Sequence, residues 1–203
     1  MLATPSAVDG KEMWFHTISF SSNTLRRVCR ATYQAETYQL QLGVEAGDLI
    51  RAAIVDMKGT LTHDWITSSA AQMQMIWYTD CNSTVTSLER PVMGKITDKR
   101  LGIELAALRQ SIWRRKGEQT GESYMDTKPT REEATDIVHW VDTDVMLADA
   151  LTKIMNPDKL VEALQTNYWN VEQPIASLAK KRVKQAQRRK AASDDPQSGH
   201  EQT

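Results

Sequence analysis

Three carboxylates stand where segments of this chain start or stop: Glu36 near the start of a long helical stretch, Asp80 at the end of an apolar run, and Asp149 where a late helical segment begins. Gathered carboxylates suit a hard divalent ion, because magnesium takes oxygen ligands and keeps several waters. Two such ions about 3.5–4 Å apart can activate water and stabilise a leaving oxygen in phosphodiester cleavage. Spacing alone leaves a plainer reading open, in which Glu36 and Asp149 complement the positive ends of helices. Basic residues offer the matching chemistry for phosphate. Asp98-Lys99-Arg100, with Arg109 further along, precedes and enters a helix, and Lys180, Lys181 and Arg182 open a basic run reaching Lys190. That run reads as a phosphate-binding arm, a solvated helix end or an import signal.

The elements that must position these groups follow from periodicity. Trp14 to Phe20 alternates as a strand, with Trp14, His16, Ile18 and Phe20 on one side. Ser21 to Thr24 is turn chemistry, and Arg26 to Arg30 reads as a second short extended piece. Ala35, Tyr38, Leu42, Ala46, Leu49, Ile50, Ala53 and Met57 recur at three and four, which predicts an amphipathic helix over about 33–58 closed by Gly59. Met73 to Tyr78 predicts a buried strand delivering Asp80 at its carboxyl end, followed by a short helix over 84–88 capped by Ser83. Leu101, Leu105, Leu108 and Ile112 mark a second long helix, ending at the basic Arg114-Arg115-Lys116. Residues 117–133 read as an exposed loop, 137–141 as a strand, 146–154 as a helix, and Pro157 to Leu164 as another. This is a mixed α/β order with too few strands for a doubly wound nucleotide fold. No Gly-rich phosphate loop is present, which argues against a dinucleotide or ATP enzyme.

Composition bounds the rest. The 203 residues are 40% hydrophobic and 25% charged, the profile of one globular domain. The chain carries neither a membrane-length apolar run nor the pattern of a secretory signal, so the expectation is a soluble intracellular protein without a membrane partner. Cys29 and Cys81 are too few for a disulfide framework, and His63 and His139 have no partner at zinc-ligand spacing. The net charge of −1 conceals an acidic body and a basic run over 180–190 that no acid interrupts. The organisation expected is an irregular N-terminus over 1–13, one domain over 14–170, and a tail over 171–203, basic and helical and then disordered.

Three blocks carry a resemblance. Ile18-Ser19-Phe20-Ser21-Ser22 followed by Arg27 to Tyr38, with Ala35-Glu36-Thr37-Tyr38 at a helix start, is similar to the ribonuclease H domain at the C-terminal end of copia-type LTR retrotransposon polyproteins. Thr79-Asp80-Cys81-Asn82-Ser83 looks like that family's strand end. Trp140 to Lys153, with Ala148-Asp149-Ala150-Leu151-Thr152-Lys153, matches its closing motif almost letter for letter. Together these blocks cover roughly residues 14–165 in the family's order.

The resemblance implies a ribonuclease H-like mixed sheet flanked by helices, with the first strand missing, and two-magnesium hydrolysis of the RNA strand of an RNA–DNA hybrid. It makes Glu36, Asp80 and Asp149 the second, third and fourth acids of a four-carboxylate metal set, with Mg2+ as cofactor. It also marks Lys99 and Arg100, where the family has a basic pair near the nucleic-acid backbone, as phosphate contacts. The first Asp has no counterpart: Asp9 and Glu12 are the acids in range, and the chain reads as truncated within the first hairpin. Cys81 stands where the family has Asn, and the 117–133 loop is longer than the family's link. Three functions remain open: a remnant of a hybrid-cleaving nuclease with weak or lost activity, a non-catalytic nucleic-acid-binding module with a basic tail, or an inert retroelement fragment. The partners implied are an RNA–DNA hybrid or other nucleic acid and the rest of a reverse transcriptase polyprotein.

Overall fold

A computed structural model describes residues 1–4, 7, 12–20, 22, 29, 31–90, 96, 98–117 and 127–171. The predicted extended piece at 26–30, the basic run with Lys180, Lys181 and Arg182, and Asp9 lie outside them, apart from the single residue Cys29. The described chain is mixed α/β: β1 (Leu2–Ala3), β2 (Glu12–His16), α1 (Thr32–Met57), α2 (Trp65–Gln72), β3 (Met75–Thr79), α3 (Asn82–Glu89), α4 (Lys99–Ile112), β4 (Asp136–Trp140), α5 (Asp149–Thr152), α6 (Asp158–Thr166) and β5 (Tyr168–Asn170). Among the described residues no helix is long and apolar enough to cross a membrane.

Two small sheets organise these elements. β3 and β4 pair in parallel, in register from Met75–Asp136 to Thr79–Trp140, which requires the long crossover that α3 and α4 provide. The other sheet runs β1-β2-β5, all antiparallel, so two strands that the sequence reading did not anticipate flank β2 on either side. Within residues 1–13, Leu2–Ala3 and Glu12-Met13 are thus strand rather than irregular. The pairing of β2 with β5 joins Met13 to Trp169 across nearly the whole chain, beyond the reach of any local pattern.

Alternation along β3 divides the core in two. Ile76 and Tyr78 pack against Met13, Phe15, Val141, Ala163, Trp169 and Val171. Trp77, pointing the other way, joins Val44, Leu88, Leu101, Leu105, Leu108, Ile112 and Trp113 beneath the helices. Tyr78 closes the first layer by donating to the Ala7 carbonyl at 2.8 Å, and burial pushes its phenol up to about 12. The predicted α4 register holds, with Leu101, Leu105, Leu108 and Ile112 all buried.

The long helix departs from its predicted face. Of the apolar stripe Tyr38 is buried but Leu42, Leu49 and Met57 are exposed, whereas Gln34, Thr37, Val44, Gly47, Arg51, Ala52 and Val55 face inward. The physical reason lies across the interface. The Trp77 indole occupies the notch at Gly47, where a Cβ would come within 2.2 Å of it. Arg51, wholly buried, reaches Asp136 at 3.3 Å and also pairs with Asp48. Asp136 accepts in addition from the Trp77 indole at 3.0 Å and the Thr135 hydroxyl at 2.7 Å, and Arg114 holds Asp48 at 2.9 Å. A buried charge persists only when paired and hydrogen-bonded in this way.

Smaller differences have local causes. α2 was not anticipated; Asp64 caps it by accepting from the Thr67 amide. α3 begins at Asn82 with Cys81 as its N-cap, so Ser83 lies inside the helix. α5 is one turn, Asp149–Thr152, rather than a helix over 146–154, because Val145 and Met146 close turns onto Asp142 and Thr143.

Candidate functional site

The carboxyl ends of β3 and β4 form one rim, the place where ligands commonly meet parallel α/β sheets. Asp80 follows β3 directly, and its backbone carbonyl accepts from the Trp140 indole at 3.0 Å, tying it to the end of β4. Its carboxylate accepts from the Thr143 hydroxyl at 3.1 Å, in the turn after β4. Asp149 is the first residue of α5 and is buried. Glu36 lies in the second turn of α1 rather than its first, since the helix begins at Thr32.

Two of these acids meet, and the third lies near enough to feel both. The Lys153 ammonium stands 2.7 Å from Asp149 Oδ2 and 3.7 Å from Asp80 Oδ2, so the two carboxylates share one cation although 69 residues separate them. Glu36 stands a step back, with no direct ion pair among the described residues, but feels both acids. Desolvation, then the charge of Asp80, and then that of Asp149 raise its pKa above the ordinary glutamate value, against a lowering by Lys153. The pKa of Lys153 is raised too, by its hydrogen bond to Asp149 and by the charges of Asp149, Asp80 and Glu36. The site is a cluster of negative charge capped by one exposed ammonium.

Oxygen donors only, net negative and at a strand rim, are the donor chemistry of a hard divalent ion. Glu36, Asp80 and Asp149 fit such an ion in type and charge. As they stand, no three His, Cys, Asp or Glu side chains among the described residues are gathered as a metal-holding group. The Lys153 ammonium sits between the acids instead.

The basic candidates separate. Lys99 and Arg100 are exposed at the start of α4, whose cap Asp98 accepts from the Arg100 and Leu101 amides. Gln34, two residues before Glu36, donates to Asp98 at 3.2 Å, so the N-termini of α1 and α4 lie side by side. Cations in the first turn of a helix oppose its dipole, so Lys99 and Arg100 gain nothing there from the helix itself. Arg109, grouped with them in the sequence, is buried: it donates to the carbonyls of Ser87 at 2.9 Å and Arg90 at 2.6 Å and lies over the Trp113 ring. It ties α3 to α4 and is no phosphate contact. His139 stacks on Tyr78 in the core layer, and Cys81 accepts from the Thr84 hydroxyl at 3.2 Å as α3 begins.

Two site residues escaped the sequence reading as site residues. Lys153 falls four residues after Asp149, a spacing that puts the pair on one helical face and could have flagged it. Thr143 reaches Asp80 only through the folded turn and left no local signal. No family model, curated protein or solved structure matches the chain.

Proposed function

We propose that this chain is a ribonuclease H-like remnant of a copia-type retrotransposon polyprotein, its acid cluster descended from a two-metal nuclease that cuts the RNA strand of RNA–DNA hybrids. The observation that carries the reading is the convergence of Glu36, Asp80 and Asp149 about Lys153, at the rim of a parallel strand pair. The closing motif from Trp140 to Lys153 contributes two members of that cluster, Asp149 and Lys153.

A divalent ion held by the three carboxylates would supply an activated water and charge stabilisation at the phosphate. The chain's own residues do the rest. Thr143 orients Asp80, the short α5 fixes Asp149 against Lys153, and Glu36 adds the third negative charge. Lys99 and Arg100, beside the start of α1, offer phosphate contacts that place the backbone of a hybrid near the acids. Each of the three carboxylates should matter to turnover, since losing one member of a preorganised site costs orders of magnitude in rate.

The second reading is a nucleic-acid-binding module without chemistry, favoured by the ammonium that already pairs with two of the three carboxylates. Incubating the full chain with a labelled RNA–DNA hybrid in magnesium separates the two. RNA-strand cleavage that Asp80→Asn abolishes supports the nuclease. Salt-sensitive binding without cleavage supports the module. Neither cleavage nor binding overturns both.

A further inference from the structure

Of the six tryptophans, Trp77, Trp113 and Trp169 belong to the two core layers, Trp14 lies against Tyr168 on the antiparallel sheet, and Trp65 opens α2. Trp140 stands at the acid rim itself, at the carboxyl end of β4, and is 44% exposed. Asp136 and Val138, four and two residues before it, turn toward the helices, and strand alternation sends the Trp140 ring the same way. Val138 is half-buried there, whereas the ring lies open. Its one polar atom is already satisfied. The indole N–H donates to the Asp80 carbonyl at 3.0 Å, which fixes the ring beside the acid cluster and leaves its exposed part apolar.

We infer that Trp140 is a stacking surface for an unpaired nucleobase, so that the nucleic acid taken at this rim is single-stranded beside the acids. The inference rests on the nucleic-acid reading of the acid cluster and narrows its substrate class. Asp80 links the two parts. Its backbone carbonyl holds the Trp140 indole, while its carboxylate meets the Thr143 hydroxyl and the Lys153 ammonium. A base on the ring and a phosphate at the acids are therefore separated by the extent of one residue, a span that one nucleotide covers from base to phosphate.

Stacking on an aromatic face tolerates any sequence, because every base has a π-face, and it needs no charge. That matters beside three carboxylates and one ammonium, which repel a phosphate until a divalent ion reverses the local sign. A base inside a duplex has both faces covered by its neighbours and offers neither to Trp140. The splayed-out bases of single strands and ends are the ones that proteins stack on aromatic rings. The bond to Asp80 also holds the indole in place before a ligand arrives, so little side-chain freedom is lost on binding. RNA and DNA share this chemistry.

Fluorescence anisotropy of the full chain with labelled RNA–DNA hybrids in magnesium tests the inference. One probe is blunt, one carries a short unpaired stretch on its RNA strand, and one carries it on its DNA strand. At least one overhang should bind about fivefold or more tighter than the blunt hybrid, and the strand that does so is the one held at the rim. Because stacking neutralises no phosphate, that ratio should persist as salt rises while both affinities fall. Trp140→Ala should abolish the ratio, Trp140→Phe should keep most of it, and circular dichroism of both should match the parent's. Equal binding of blunt and overhung probes overturns the inference and leaves the nucleic-acid reading standing, whereas no binding of any probe overturns both. A ratio that vanishes with salt, or that Trp140→Ala leaves intact, also overturns it. So does a ratio lost equally in Trp140→Phe and Trp140→Ala, which would make the indole a tether for Asp80 and nothing more.

Discussion

Lys153 donates to Asp149 across a single turn of α5, at 2.7 Å, and the same ammonium is 3.7 Å from Asp80. The pair makes Lys153 the resident counter-ion of the acid cluster. Lys153→Met removes it and leaves the carboxylates to repel one another. The variant should melt at a lower temperature than the parent without divalent ions and regain more of that loss than the parent gains when magnesium is added. Thermal melts of both chains with and without magnesium chloride check this; equal magnesium shifts would mean that Lys153 does not compete with a cation.

Glu36 sets a pH dependence. Its raised pKa means that the folded chain holds a proton the unfolded chain has released, so stability falls as pH climbs from the ordinary glutamate value, about 4.3, through the higher folded value. Above that window the cost is complete, and below it the cost vanishes. Glu36→Gln should therefore raise the melting temperature at neutral pH and leave it unchanged near pH 4. A series of melts across this range, without divalent ions, would show the difference between variant and parent growing with pH; a constant difference would refute the assignment.

Two glycines of α1 should respond oppositely to alanine. At Gly47 a Cβ meets the Trp77 ring at 2.2 Å and Met75 at 3.1 Å, so Gly47→Ala overpacks the seam between α1 and β3 and should cost about 1–3 kcal/mol. At Gly43 nothing lies within 4 Å, and Gly43→Ala should stabilise the helix by about 0.5–1 kcal/mol. Urea unfolding of the two variants gives both signs directly.

The buried pair Arg51–Asp136 should be strongly coupled. Asp136→Asn leaves the wholly buried Arg51 with Asp48 as its remaining charge partner and should cost up to about 3–5 kcal/mol. Replacing both, Arg51→Met with Asp136→Leu, should cost less than the single change. A double-mutant cycle in urea would show strict additivity if the pair were not coupled.

Local pattern accounts for much of this molecule. The apolar run before Asp80, the leucine register of α4, the strand at 136–140 and the helix after Pro157 were all legible, because periods of two and 3.6 are written in neighbouring residues. So was the placing of Asp80 and Asp149 at element ends, the half of the site that depends on chain order. What tertiary structure decided was which face of a helix turns inward and which charges meet. α1 carries an apolar stripe that periodicity assigns to the core. The Trp77 ring needed the notch at Gly47, and Asp136, 85 residues further along, needed Arg51, and together these rotated the stripe to solvent. The strand pairing of Met13 with Trp169 and the meeting of Asp80 with Lys153 are decided in the same way. Such contacts join residues far apart in the chain, each with an ordinary local sequence around it. Their energy comes from burial and charge pairing that exist only once the layers have closed.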